Sequence, residues 1–363
     1  MVNPCIVVGG GLAGGAAATL LARQGRPVVL LERESGPHDK VCGEFLSVEA
    51  CRDLECLGLD LDRLGAVAMD RIRLASGHRL IEAPLPFAAR GLSRRVLDEA
   101  LLELAARAGA QVRRGQRVSG IAAGHVRVGD AALPASAILL ASGKHDVRGV
   151  ARGAPATRGG YVGFKMHWRA PPALAGKVGS AIELVVFDGG YAGLQRVAPG
   201  VLNLCLILRS AALADLGGGW DGVLARILRE PWLERRLAEA EPLFARPLTI
   251  ANLPYGYLCD ADATGDHAYR LGDQAAMTAS LTGDGMAAAL RGAFVAAESL
   301  AAGLPPAAYH RRIVRILSPQ VRRAMLLQRA TERRATLACG LALLGLWPGL
   351  LGILARATRL PGA

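Results

Sequence analysis

The sequence of 363 residues predicts an α/β fold with an inserted antiparallel sheet and a C-terminal helical tail. A strand, a glycine turn, a helix and a second strand follow one another between Cys5 and Glu32, as in a βαβ unit. From 151 to 250, apolar and polar residues alternate between turn residues, which is typical of antiparallel strands. After 311, an arginine-rich stretch leads into an apolar one, which predicts a distinct helical tail.

The composition excludes some classes of partner. Hydrophobic residues make up 52% of the chain, enough for a sizeable core. The formal net charge of +12 comes almost entirely from scattered arginines, whereas aromatic residues are only 4% and no recognised nucleic-acid motif is present. We therefore expect no nucleic-acid partner. An arginine-rich solvated surface, with anionic membrane as a local partner, fits the charge better.

The seven cysteines are odd in number, widely spread and without a C-x-x-C pair. This distribution is typical of reduced thiols in a cytosolic protein rather than of a disulfide or zinc framework. We therefore expect a cytoplasmic protein without a metal site, located at the inner face of the membrane if its tail makes contact there.

The first glycine turn has the spacing G-x-G-x-x-G. Gly9 permits the tight turn, Gly11 lets the backbone approach a pyrophosphate, and Gly14 lets the helix pack closely on the strand. The helix opens with Leu12 and Ala13, and its free N–H groups face the phosphates. Because strand, glycines, helix, strand and acid occur in this order, the motif predicts a Rossmann-like dinucleotide site.

Glu32 ends the second strand, where its carboxylate can accept hydrogen bonds from an adenosine ribose. An acid at this point repels a 2′-phosphate, so NADP is disfavoured while FAD and NAD both remain. Later in the chain, Gly272-Asp273 and Gly283-Asp284-Gly285 supply a second carboxylate and a second helix N-terminus, beginning at Met286. The pair of motifs favours FAD over NAD.

Cys42 follows Lys40 at the start of a helix predicted over 41–57. A free cysteine is most often a small buried hydrophobe. A nearby lysine and a helix start are also the setting of a functional thiol, so both interpretations stay open. Glu44 is interpreted as a helix N-terminal acid rather than a catalytic one.

The inserted sheet begins with a strand that has two different faces. Period-two alternation places Val162, Phe164, Met166 and Trp168 on one face and Tyr161, Lys165 and His167 on the other. A lone His167 is more typical of a satisfied sheet residue than of a catalytic base, although it remains a candidate.

The tail combines charge and hydrophobicity. Eight arginines from 311 to 334 precede 335–355, which contains no charged residue, and Trp347-Pro348 breaks this apolar stretch near its middle. A membrane-surface helical hairpin beside a basic patch is one interpretation and a buried terminal helix is the other, ahead of a true transmembrane span.

These patterns divide the chain. Segments 1–75, 91–150 and 251–310 form a discontinuous FAD-binding domain, with a helix predicted to begin after Ser93. Segments 76–90 and 151–250 form the inserted antiparallel-sheet substrate domain, and 311–363 forms the tail.

The motifs together resemble a known group of proteins. The two glycine motifs, Arg94 in an S-R-x-x-L-D setting, and Ala141-Ser142-Gly143 resemble the FAD-dependent superfamily of p-hydroxybenzoate hydroxylase-type monooxygenases, geranylgeranyl reductases and flavin-dependent halogenases. By that resemblance Arg94 would contact the phosphate or ribityl region and Asp273 the ribityl chain. The full set implied to bind FAD is Gly9, Gly11, Leu12, Ala13, Gly14, Glu32, Arg33, Cys42, Gly43, Arg94, Ser142, Gly143, Gly272, Asp273, Gly283, Gly285 and Met286.

Departures from the family motifs bear on the reaction. Lys40 to Glu44 is similar to the P-C-G-E segment of geranylgeranyl reductases, in which the cysteine lies at the flavin face. Tyr191 matches the tyrosine of their Y-x-W-x-F-P motif, but the tryptophan, phenylalanine and proline are missing, as is the halogenase W-x-W-x-I-P motif. Ser142-Gly143 stands where hydroxylases usually carry an Asp-Gly pair, and this departure bears on whether the chain itself uses NAD(P)H. Either NAD(P)H or a separate reductase is expected as the electron donor.

The resemblance implies an FAD-dependent oxidoreductase acting on a hydrophobic polyketide- or lipid-like substrate, since 143–149 is similar to flavoproteins of such secondary metabolism. A monooxygenase is expected first. A C=C reductase of the geranylgeranyl reductase type is the alternative, with Cys42 as proton donor, and a flavin electron-transfer protein is third. The candidate catalytic residues are Cys42, Tyr191 and His167.

Overall fold

The computed structural model describes residues 2–152, 160–260 and 267–360. The strands are β1 (Cys5–Val8), β2 (Val28–Leu31), β3 (Phe45–Leu46), β4 (Val67–Ser76), β5 (Arg79–Gly91), β6 (Gln111–Arg113), β7 (Val118–Ala122), β8 (His125–Val128), β9 (Ala131–Pro134), β10 (Ala137–Leu140), β11 (Tyr161–Arg169), β12 (Ala181–Phe187), β13 (Gly190–Ala198), β14 (Val201–Arg209), β15 (Glu241–Pro242), β16 (Leu248–Ile250), β17 (Tyr257–Leu258), β18 (Tyr269–Arg270) and β19 (Ala276–Met277). The helices are α1 (Leu12–Arg23), α2 (Val48–Cys56), α3 (Arg94–Arg107), α4 (Pro172–Val178), α5 (Ser210–Asp215), α6 (Trp220–Ile227), α7 (Pro231–Leu237), α8 (Gly285–Ala301), α9 (Pro306–Glu332), α10 (Arg334–Leu346) and α11 (Gly349–Ala357).

A five-stranded parallel sheet forms the first layer, in the order β18-β10-β1-β2-β6. Its central strands β1 and β2 are apolar and buried on both faces, as expected for a parallel sheet covered by helices. Helix α1 packs against both α3 and α8. The βαβ unit predicted from the sequence is confirmed, and the mixed α/β fold with a helical C-terminus is confirmed as well.

A nine-stranded sheet forms the second layer, with the main path β15-β11-β14-β13-β12-β4-β5-β3. Its pairs are antiparallel except that β12 runs parallel to β4. The alternation along β11 is confirmed, because Val162, Phe164, Met166 and Trp168 join one core cluster with residues of α6 and α7. The sheet takes in β4 from Val67 onward and also the short β3, both of which begin before the boundary of 76 drawn from the sequence.

The segment around Cys42 differs from its prediction. The helix predicted over 41–57 begins only at Val48, and Phe45–Leu46 pairs with β5 instead. Glu44 has a left-handed φ of 59°, which turns the chain before this strand. The interpretation of Glu44 as a helix N-terminal acid is therefore wrong. Its side chain points into the protein, where it is fully buried.

The tail folds back onto the second sheet. Leu341, Leu344 and Leu351 pack in one cluster with Ile72 and Ile81 of the β4–β5 hairpin. Among the described residues, no single helix has the length and apolar character needed to cross a bilayer, and the one pair that has them together, α10 with α11, is bent by 120°. One face of the tail is thus part of the protein core.

Candidate active site

A cavity of about 1050 Å³ runs between the two sheets. At one end it is lined by the glycine turn after β1 and by the loops after β2 and β10. At the other end it is lined by side chains of the second sheet and of the tail. We call these the cofactor end and the substrate end.

The cofactor end is shaped by the absence of side chains. Gly9 has a φ of +104°, and a Cβ on Gly14 would lie 1.9 Å from the Gly9 carbonyl oxygen. A Cβ on Gly11 would meet Arg94 Nη2 at 3.4 Å and Lys40 Nζ at 3.5 Å. Two cationic groups therefore stand over a bare glycine backbone at a helix N-terminus, an arrangement that fits a pyrophosphate.

A shared carboxylate holds these cations. Asp98 accepts two hydrogen bonds from the Arg94 guanidinium, both 2.9 Å long. It also forms an ion pair with Lys40, with 2.8 Å between the carboxylate oxygen and Nζ. Burial alone would raise the pKa of Asp98, but Arg94 and Lys40 together hold that pKa below its usual range. The group is thus ionised, and it fixes both cations beside the glycine turn.

Glu32 stabilises the same turn through its carboxylate. Its carboxylate accepts the backbone N–H of Gly10 at 2.6 Å and of Glu34 at 2.9 Å. The side chain is only 5% exposed yet lines the cavity. Its remaining lone pairs are available to ribose hydroxyls, so the proposed role at the adenosine stays a prediction. The neighbouring Arg33 lies 3.1 Å from His145 Nε2.

The loop after β10 carries a lysine that the sequence motifs did not single out. Lys144 forms an ion pair of 3.3 Å with Asp273, and both side chains line the cavity. Burial alone would lower the pKa of Lys144, but Asp273 and then Cys42 raise it above its usual value. The Gln274 amide donates to Gly143 O at 2.8 Å, which ties this loop to the Gly272-Asp273 turn.

The second glycine motif leads into α8. Gly272 and Gly283 have left-handed φ values of 57° and 73°, and Met286, 6% exposed, sits in the first turn of α8 against the cavity. Asp284 is fully buried, with Arg359 of the tail 2.6 Å away. Burial raises the pKa of Asp284 to about 7, although Arg359 opposes the shift.

Cys42 lies where the two ends of the cavity meet. Its backbone is held from the second sheet, since Asn203 Nδ2 donates to Cys42 O at 3.1 Å and to Gly43 O at 2.9 Å. Gln195 Nε2 donates to Gly43 O at 2.8 Å. The thiol is half-buried and lines the cavity, with its sulfur accepting the Glu44 N–H at 3.4 Å.

Register explains why these amides converge. Asn203 pairs with His167 on one side and with Gln195 on the other, so the three side chains form one row across the sheet. The next row contains Lys165 and Cys205. Five polar or thiol side chains of a largely apolar sheet thus underlie the Cys42 segment.

An ion cluster forms behind this segment. Glu44 Oε1 lies 2.6 Å from Lys165 Nζ and accepts the Arg94 N–H at 2.7 Å, while its Oε2 is 2.7 Å from His167 Nε2. Asp39 completes the cluster, 3.2 Å from Lys165. The oxygen and nitrogen atoms of Asp39, Glu44 and His167 are close enough to hold a metal. However, Lys165 already supplies the positive charge that balances these carboxylates.

The structure separates the three catalytic candidates. Cys42 and Tyr191 line the cavity, whereas His167 lies behind Glu44 and is absent from the lining. Tyr191 is 4% exposed, and its hydroxyl lies near the Ser280 side chain. Burial, together with the neighbouring Tyr255, raises the pKa of Tyr191 well above its usual value, so the hydroxyl remains protonated.

The substrate end is apolar and built from distant segments. Its walls include Ile72, Leu74, Leu85, Ile182, Leu184, Val186, Ile207 and Leu253, with Leu341, Leu344, Leu351 and Leu354 from the tail. Sequence analysis did not predict this contribution of the tail. A substrate that fills this end must be largely hydrophobic.

One signal in the composition marks the residues that were missed. Lysine occurs at only four positions in this arginine-rich chain, namely 40, 144, 165 and 177. Lys40 and Lys144 lie at the cofactor end, and Lys165 lies directly behind the Cys42 segment. The ammonium of lysine is compact and can pair with a buried carboxylate, whereas an arginine at the surface remains solvated. The few lysines of this chain were therefore a signal for residues of the site.

Comparison with known proteins agrees with this geometry. Residues 3–131 match the family model described as FAD binding domain. The menaquinone reductase of Mycolicibacterium smegmatis is 28% identical over 326 residues, covering 82% of this chain and 76% of that protein. The flavin-dependent brominase Bmp2 has a TM-score of 0.79 at 17% identity, covering 98% of this chain and 93% of that one. The myxobacterial chondrochloren halogenase CndH has a TM-score of 0.74 at 21% identity, covering 86% and 78%.

The two solved structures share the fold of this chain, and the family match over 3–131 indicates that the cofactor is FAD. The cationic groups over bare glycines and the buried acid suit the pyrophosphate and ribose of such a cofactor. The matched nucleotide-binding segment, this architecture and the flavoenzyme relatives together support an FAD-dependent oxidoreductase.

Proposed function

We propose that the protein reduces a C=C bond of a long, apolar, isoprenoid-like substrate, with Cys42 as the proton donor. The observation that carries this proposal is the position of the Cys42 thiol at the junction of the cofactor end and the apolar substrate end. Asn203 and Gln195 bond the backbone carbonyls of Cys42 and Gly43 from the second sheet, which supports a fixed position for the thiol on the cavity wall.

FAD, once reduced, supplies a hydride. In the proposed reaction the hydride adds to one alkene carbon, and the Cys42 S–H proton adds to the neighbouring carbon. The thiolate that remains lies near Arg94 and Lys144, whose pKa values are raised in part by this sulfur. Positive charge beside the sulfur stabilises the thiolate until solvent returns a proton. The electrons come from NAD(P)H or from a separate reductase.

The relative named menaquinone reductase supports a reductase rather than an oxygenase, because the alignment extends over most of both proteins. Tyr191 offers a protonated hydroxyl in the same cavity. We assign Tyr191 a role in orienting the substrate rather than in donating the proton, since burial raises the pKa of its hydroxyl well above the usual value.

A monooxygenase is the second candidate. The apolar walls of the substrate end exclude water, and hydroxylation by reduced flavin and O₂ requires such a site. In that case a hydroxylated polyketide- or lipid-like product would form, and no proton donor at Cys42 would be needed.

The test is product analysis with the FAD-loaded enzyme, chemically reduced and supplied with a menaquinone. Without O₂, a C=C reductase yields a product that keeps a gain of two hydrogens in its side chain after air has reoxidised the quinol ring to the quinone. We expect Cys42→Ala to lower the single-turnover rate by roughly 100-fold or more, as for loss of a general acid, with flavin content unchanged.

Cys56→Ser is the matched control, because Cys56 is an exposed thiol outside the cavity. It should leave the rate unchanged. A product that gains one oxygen, and forms only when O₂ is present, would establish the monooxygenase instead. Full activity of Cys42→Ala would remove the proposed role of the thiol.

A further inference from the structure

We propose that the outer face of the α10–α11 hairpin is a docking surface for an anionic lipid bilayer, with the elbow at Leu346-Trp347 inserted among the lipid headgroups. The proposal concerns binding rather than chemistry, and it holds whichever reaction the flavin performs. We call this surface the outer tail face and define it by Leu343, Leu346, Trp347 and Ile353.

The outer tail face is apolar although it faces outward. The exposed fractions are 52% for Leu343, 86% for Leu346, 57% for Trp347 and 51% for Ile353. The inner face of the same helices packs on the β4–β5 hairpin and lines the cavity. A helix pair that covers a protein in water has a polar outer side, whereas these two helices are apolar on both sides.

The tail sequence after Glu332 carries charge of a single sign. No acidic residue occurs after Glu332, whereas exposed arginines lie at 322, 323, 329, 333, 334 and 356. Some have protein partners, such as Arg334 with Asp188, but each remains at the surface with its charge. Apolar side chains surrounded by arginines complement an anionic bilayer, because the chains enter the interface while the guanidinium groups meet the lipid phosphates.

The bend sets the mode of contact. The chain bends by 120° between α10 and α11, around Trp347-Pro348. The pair therefore presents an elbow rather than a rod that spans the bilayer. Tryptophan at such a position is typical of the membrane interface, since its ring is apolar and its N–H is polar. We therefore infer peripheral insertion of the elbow and not a transmembrane arrangement.

The test is co-sedimentation of the FAD-loaded protein with vesicles of phosphatidylglycerol and phosphatidylcholine, compared with vesicles of phosphatidylcholine alone. We expect binding to the anionic vesicles that weakens as salt rises. The double variant Leu346→Ser/Trp347→Ser should bind on the order of 10- to 100-fold more weakly, because two large side chains no longer transfer into lipid. Arg329→Gln/Arg333→Gln should weaken binding to anionic vesicles only.

Two matched controls separate the surface from general effects. Leu304→Ser removes an exposed leucine outside the tail, and Arg63→Gln removes an exposed arginine far along the chain. Both should bind like the original protein. Trp347→Phe should keep binding but lose the blue shift of tryptophan emission on vesicle addition, which reports insertion at this residue.

Equal binding of the double variant and the original protein would overturn the proposal. A second outcome would also overturn it: the original protein does not bind vesicles, and light scattering shows a dimer, whereas the double variant is a monomer. The outer tail face would then be an interface between copies of the chain. Resistance of the bound protein to an alkaline carbonate wash would overturn the peripheral arrangement in favour of a spanning one.

Discussion

The two ends of the cavity are built in opposite ways. The glycine turn of the cofactor end depends on residues close together in the chain, since Gly14 packs on the Gly9 carbonyl and the Glu32 carboxylate accepts the Gly10 N–H. The substrate end depends on β4, β12, β13 and the tail, which meet only in the folded protein. The difference shows why the chain reveals its cofactor more readily than its substrate. A site made by local backbone geometry leaves a motif, and a wall of apolar side chains leaves none.

The strongest way to break the cofactor end is Gly14→Ala. A Cβ would lie 1.9 Å from the Gly9 carbonyl oxygen, so the helix and the turn must separate. We expect the purified variant to lack flavin absorbance, or to fail to fold. Gly36→Ala is the matched control, because no atom of the described residues beyond its chain neighbours lies within 4 Å of the added Cβ, and it should retain the cofactor. A flavin-loaded Gly14→Ala protein would contradict the assigned geometry.

The junction between the two ends is tested by Lys165→Met. Removing the ammonium leaves the buried Glu44 carboxylate without its ion-pair partner, which costs about 3–5 kcal/mol of unfolding free energy. Urea denaturation measures the loss. Adding Glu44→Gln to the same protein should recover part of it, because the uncompensated charge is gone. Equal stability of Lys165→Met and the original protein would mean that the cluster is not ionised as described.

The contact between tail and cofactor loop is tested by pH. The pKa of Asp284 is raised to about 7, so between its unfolded value and about 7 the folded state binds a proton that the unfolded state has lost. This contribution makes stability fall as pH rises through that window, by on the order of a few kcal/mol, and level off above it. Asp284→Asn should lack this slope when urea denaturation is compared at about pH 5 and about pH 8. Parallel profiles of the two proteins would contradict the assignment.

The smallest expected effect separates the two faces of the tail. Leu344→Ala opens the substrate wall and should cost about 2 kcal/mol while raising KM for an apolar substrate, with flavin content unchanged. Leu343→Ala, one residue earlier and exposed, should leave stability and KM nearly unchanged. If both variants behave alike, the tail does not form the cavity wall.

Local patterns were enough for much of the fold. The period-two alternation along β11 and the Ser93 cap of α3, whose hydroxyl accepts the Arg95 N–H at 3.2 Å, were both predictable. The residues around Glu44 were not. Their turn, with a left-handed φ at a non-glycine residue, is maintained by contacts with Lys165 and His167 more than 120 residues away. Distant partners override the local helical preference there.

The residues of the candidate site also fall into a group that the sequence predicts and a group that it does not. The glycines and Glu32 were predictable because each satisfies a local geometric need. Lys144, Asn203 and Gln195 were not, since their roles depend on strand register and on a loop that only the folded protein brings to the cavity. Cys42 stayed ambiguous in sequence, and the structure places its thiol on the cavity wall.

The parallel pairing of β4 with β12 also has a consequence for biosynthesis. Val67–Ser76 leaves the ribosome well before Ala181–Phe187, and at typical translation rates the interval is roughly ten seconds. During that time the β4–β5 hairpin has an unpaired edge, and Ile72 and Ile81 lack the tail that later covers them. We therefore expect chaperones to bind the nascent chain at this hairpin, and the yield in cells to fall as that edge stays open for longer.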